Sequence, residues 1–157
     1  MTTKADFNAE EWSTIVEAPL LAGLRVVAAD RGGTIRESVA MGKVYQEARQ
    51  GDGESELLDE IAASPQGLDQ ERLRASGDLA AAASERLREA VATLEQKASP
   101  EEVEAYRRFA FSVAEAAAKA HKEGGFIGIG GKQVSEREQA ALDEIAATLG
   151  TGAGTGP

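Results

Sequence analysis

His121 is the only histidine in the chain and cysteine is absent. One imidazole cannot build a His–His metal pair, and no motif brings a serine such as Ser13, Ser112 or Ser135 beside a base, so no catalytic triad is readable. The missing thiols remove disulfides, thiolate catalysis and sulfur-ligated metals. His121 stands near the end of a predicted helix, where an imidazolium would favour the helix dipole, and is assigned to capping. What remains for chemistry is carboxylates and glycine loops. Asp30-Arg-Gly-Gly-Thr-Ile-Arg-Glu37 can be set against a calcium loop with its turn glycine at Gly33. That register puts Ala28 at the first ligand position, Gly32 at the fifth and Val39 at the twelfth, where calcium needs oxygen donors and a bidentate glutamate. Full coordination is excluded. A reduced divalent-cation site could use Asp30 and Glu37, or Glu123 with neighbouring acids. Gly125-Phe-Ile-Gly-Ile-Gly-Gly-Lys132-Gln133 has the look of a phosphate loop, but Phe126 stands where glycine is required and Gln133 where the magnesium-binding hydroxyl should be. The loop reads instead as a hinge or lid. Its Phe126, Ile127 and Ile129 dock either on the protein's own core or on a partner.

The elements that must position these loops are helices. Paired start signals recur, in which a polar N-cap is followed three residues later by an acid: Asn8 with Glu11, Thr34 with Glu37, Ser99 with Glu102, and Ser135 with Glu138. Asp78 caps a further helix, and Pro100 suits the first turn after Ser99. Apolar residues at three- and four-residue steps fill the intervening stretches, most clearly Leu79, Ala83, Leu87, Val91 and Leu94. Pro19, lacking an N–H, predicts a break or kink near Ala18 with a second helix from Pro19 to about Ala29. Gly32-Gly33 and Gly124-Gly125 are structural glycines that end helices, and Gly150 is placed as a left-handed stop.

Length and charge bound the rest. The chain has 157 residues, enough for one domain core, but 30 of its apolar residues are alanine and only seven residues are aromatic, so the interior must be closely packed. A formal net charge of −10 disfavours nucleic acid and anionic membrane. No long apolar run and no leader-like start are present, so a cytoplasmic location without membrane insertion is expected. The expected domain is 1–150, with a mobile connection at 64–78 and a disordered tail at 151–157.

Ala28-Ala-Asp-Arg-Gly-Gly-Thr-Ile35 aligns without gaps on Ala120-His-Lys-Glu-Gly-Gly-Phe-Ile127, which suggests a duplicated helix-loop-helix with units at about 8–50 and 99–150. On this reading the alanine-rich helices at 20–29 and 110–120 cross closely. The stretch Val113-Ala-Glu-Ala-Ala-Ala-Lys-Ala-His-Lys-Glu-Gly-Gly125, with Val134-Ser-Glu-Arg-Glu138 and Ala141-Leu-Asp-Glu-Ile-Ala-Ala-Thr-Leu-Gly150, resembles the repeat of the tellurite-resistance TerB-like family, and Val26 to Glu37 is similar to that family's other repeat. The resemblance implies an all-helical, acidic, non-enzymatic protein associated with stress-response complexes and metal ions.

These readings converge on an all-α fold: a compact bundle of six or seven helices built from a duplicated helix-loop-helix. The expected function is a non-enzymatic interaction or scaffold module with no cofactor, contacting a protein partner or a second copy of itself. The alternative is a divalent-cation-responsive stress protein. An exposed apolar stripe from Leu79 to Leu94 would favour the homodimer.

Overall fold

The computed structural model describes residues 2–29, 34–49, 56–64, 78–124 and 136–150, and of these the side chains of 27–29, 34–40, 49 and 120–124 lie outside the description. The described residues form a short 3-10 turn, Lys4–Asp6, and six α-helices, with no strand among them: α1 (Ala9–Ala29), α2 (Thr34–Arg49), α3 (Glu56–Ala63), α4 (Leu79–Lys97), α5 (Pro100–Gly124) and α6 (Glu136–Leu149). The all-α bundle expected from the sequence is what the chain adopts. No helix among the described residues is long and apolar enough to cross a membrane.

The start signals at Asn8, Asp78 and Ser99 work as their residue types dictate, while Ser135 and the side chains of Thr34 and Glu37 lie outside the description. Asn8 Oδ1 accepts the Glu11 N–H at 2.8 Å while Glu11 Oε2 accepts the Asn8 N–H at 3.0 Å, so each end of the box satisfies an orphan donor of the other. Ser99 and Glu102 repeat the exchange at 3.2 and 3.0 Å. Asp78 Oδ1 accepts from the Ala81 N–H at 2.7 Å. Gly150 follows α6 with φ +71°, the left-handed conformation that releases the chain from the helix.

The centre of the bundle is α1. Its residues are buried on nearly every side between Trp12 and Val26, and it packs most extensively against α4 and α5, with α6 also lying on it. The second layer is α2, which crosses α5 and carries α3. The stripe Ala83, Leu87, Val91 and Leu94 of α4 faces this interior, so it is spent within the bundle and offers no exposed dimer seam.

Pro19 does not break the chain as expected. It sits inside an uninterrupted α1. Its missing N–H should leave the Ile15 carbonyl without a helical donor, and the Tyr106 hydroxyl of α5 donates to that carbonyl at 2.8 Å in a site closed to solvent. The tertiary hydrogen bond thus replaces the one that proline removes, and the helix continues through it.

Close packing in the alanine-rich middle follows from small residues. A Cβ at Gly23 of α1 would land on Met41 Sδ of α2 and lie 3.1 Å from Val113 Cγ1 of α5, so glycine leaves room there for side chains of two neighbouring helices. Ala18, Ala22, Ala110, Ala114, Ala117 and Ala118 are all fully buried. The segments at 20–26 and 110–119 therefore do approach closely, as the sequence suggests. The two matched loops behind the idea of duplication lie outside the described residues and side chains, as do 65–77 and 151–157.

Candidate functional site

Two regions hold groups capable of chemistry. The first is the interior of α1. Glu17 is only 3% exposed and Arg86 of α4 only 7%, and Arg86 Nε lies 3.9 Å from Glu17 Oε2. A second contact joins Arg86 Nη1 to the exposed Glu89 at 3.5 Å. Glu138, in the first turn of α6, is buried to the same degree as the apolar residues around it. Low local dielectric strengthens such contacts but also makes each charge expensive to leave unpaired, and the Glu17–Arg86 contact joins α1 to α4.

Two tyrosines extend this interior. Desolvation raises the Tyr106 hydroxyl well above its ordinary range, with Tyr45 adding to the shift, and burial raises Tyr45 likewise. Both stay protonated, and Tyr45 meets the Phe109 ring edge-on at 5.1 Å. A phenol held neutral in this way is a hydrogen-bond donor and no base.

The second region is the corner where the N-terminal arm, residues 2–8, meets the bundle. Lys97, the last residue of α4, is its hub. Its Nζ donates to Glu11 Oε2 at 2.8 Å and to the Asp6 carbonyl at 3.2 Å, and it lies 5.6 Å from the centroid of the Phe7 ring. Phe7 in turn packs on Trp12 with centroids 5.9 Å apart. The Trp12 indole donates to Ser64 Oγ at 3.3 Å, and Ser64 donates to the Glu60 carbonyl at 2.8 Å, which ties α3 to α1. Thr2 donates through its N–H and its hydroxyl to the two oxygens of Glu102 at 3.2 and 2.8 Å. The Lys4 N–H donates to Glu60. Beneath the arm runs a groove of about 650 Å³, bounded by Thr3, Lys4, Phe7, Asn8, Trp12 and Glu60 among others.

Charge explains the carboxylates here. The Lys97 ammonium, with the Asn8 N–H, holds the Glu11 carboxyl below its ordinary range. For Glu102 partial desolvation pushes upward, but the hydrogen bonds from Ser99 and Thr2 together outweigh it and the net displacement is downward. A smaller groove of about 250 Å³ lies between the end of α4 and the start of α5. Its Arg107 is held by Glu95 at 2.7 Å and by Glu104.

Comparison of the chain with protein-family models, with curated proteins and with solved structures finds no match.

The residues singled out from the sequence divide accordingly. Phe126, Ile127, Ile129, Asp30, Gly32, Gly33 and Gly125 lie outside the described residues, as do the side chains of Glu37, Glu123 and His121. Gly124 is the last residue of α5. Among the described residues no cluster of three or more His, Asp or Glu could hold a metal ion. Trp12 and Tyr106 are buried in the core. The buried Glu17 and Arg86 were not expected. The signal was present, since Arg86 adjoins Leu87 on the apolar side of α4 and Glu17 interrupts the run from Thr14 to Leu21.

Proposed function

We propose that this chain is a non-enzymatic interaction or scaffold module. What supports the reading is the employment of its polar groups. Within the described residues, Glu11, Asp78 and Glu102 are helix caps, Glu17 and Arg86 face each other in the interior, and the Tyr106 hydroxyl serves the backbone of α1. Catalysis needs such groups to converge on a cleft with shifted proton affinities, whereas these groups hold helices together. In this reading the apolar loop residues Phe126, Ile127 and Ile129 make the partner contact, the partner being another protein or a second copy of the chain. Changing Phe126 and Ile129 to Ser in the full chain should abolish partner recovery in a pull-down and self-association in sedimentation. Recovery and association both unchanged would count against it.

The net charge of −10 favours one further reading, a divalent-cation-responsive protein of TerB-like type with ligands at Asp30, Glu37 and Glu123. Calorimetric titration with calcium, magnesium and zinc separates the two. Saturable heat lost on Asp30→Asn supports the cation reading, and its absence ends it.

A further inference from the structure

The N-terminal arm is joined to the bundle differently from every helix. Along residues 2–8 only Thr2 and Phe7 are buried, while Thr3, Lys4 and Ala5 between them line the groove. Its polar attachments go to three separate elements: Thr2 to Glu102 of α5, Lys4 to Glu60 of α3, and Asp6 to Lys97 of α4. The Thr2 bonds are part-buried and those at Lys4 and Asp6 are solvent-exposed, and exposed charge-assisted contacts each contribute little and weaken with salt. Against them α1 to α6 share a continuous apolar core, to which the arm contributes the single side chain of Phe7. A segment with two buried side chains and exposed or part-buried bonds opens at far lower free energy than a core of that kind.

We propose that residues 2–8 form a releasable strap over Trp12, with Lys97 as its latch. Lys97 alone contacts the arm at Asp6, the start of α1 at Glu11 and the face of Phe7. With the strap closed, Phe7 covers Trp12, which is 7% exposed. With it open, the indole face and the groove floor are bare to solvent while the six helices keep their packing. The occupant of the Trp12 face in the closed form is the chain's own Phe7. The device stands whether or not the proposed partner contact at Phe126 and Ile129 exists.

Trp12 is the only tryptophan, so its fluorescence reports the strap without ambiguity. Acrylamide quenching of the full chain, read beside far-UV circular dichroism, tests the proposal. Lys97→Ala should raise the quenching constant about twofold and shift emission to the red while the helical signal is retained, as expected of a sub-global opening. Lys97→Arg, which keeps the cation over Phe7, should stay near the wild type. In the unmodified chain, a urea titration should show the Trp12 transition ahead of the helical one. Unchanged quenching in Lys97→Ala, or a Trp12 signal that moves only together with helix loss, would overturn it.

Discussion

The N-terminal corner and the interior of α1 solve the same problem, holding α1 against α4 and α5, by opposite means. At the corner, polar side chains and backbone ends meet in exposed or part-buried bonds: Asn8 with Glu11, Ser99 with Glu102, Lys97 with Asp6 and Glu11. In the interior a few polar groups are sealed among apolar ones, with Tyr106 on the Ile15 carbonyl, Arg86 beside Glu17 and Gly23 pinched by Met41 and Val113. The corner is built from many weak contacts, each replaceable by water. The interior is built from few contacts that water cannot replace. Losing one partner should therefore cost little at the corner and much inside.

The largest effect should come from Arg86. Arg86→Ala removes the cation facing a carboxylate that is 3% exposed and also leaves the space of a long side chain, for an expected loss of about 3–5 kcal/mol in urea unfolding. Arg25 and Glu144 form the exposed counterpart at 3.1 Å between α1 and α6. Arg25→Ala should cost under about 1 kcal/mol. Equal losses for the two arginines would erase the distinction between sealed and solvated contacts. Replacing Glu17 and Arg86 together by Leu and Met should recover most of the loss, because the desolvation penalty of both charges disappears with them.

Next in size is the hydroxyl that stands in for the N–H of Pro19. Tyr106→Phe keeps the ring and strands the Ile15 carbonyl, an expected loss of about 1–3 kcal/mol. Pro19→Ala restores a helical donor four residues beyond Ile15. It should therefore help more in the Tyr106→Phe background than in the wild type, by about 1 kcal/mol in a double-mutant cycle. Strict additivity would mean that the carbonyl finds its donor elsewhere.

This pair also marks where sequence reading succeeds and where it stops. The caps at Asn8, Asp78 and Ser99 and the stop at Gly150 were legible because each is a local arrangement, complete within a few residues. The stripe on α4 was legible because periodicity alone fixes its inward face. Pro19 misled for the converse reason. Its local rule says break, and the residue that overrides the rule, Tyr106, lies 87 positions away and is brought there only by the packing of α5 on α1. Arg86 and Glu17 are likewise a long-range pair: their apolar neighbours mark each position, but only the packing of α4 on α1 brings the two together. Of the candidate site, the carboxylates at helix starts could be placed from spacing, but the hub at Lys97 could not. A lysine ending an amphipathic helix reads as a solvated charge until the arm is folded back upon it.

The smallest effect should be at the corner and should depend on pH. Glu102 has its proton affinity lowered in the folded state, so the folded chain holds that proton less readily than the unfolded one. Its stabilisation is then fully present above the ordinary glutamate range and is lost as pH falls through the lower folded value. Glu102→Gln should accordingly flatten the acid limb of stability as pH falls through and below the ordinary glutamate range, by under about 1 kcal/mol after solvent screening. Thr2 and Ser99 can both still donate to the amide oxygen, so helix content at pH 7 should be retained. An acid limb that stays as steep in Glu102→Gln as in the wild type would show that the corner carboxylate is not what titrates.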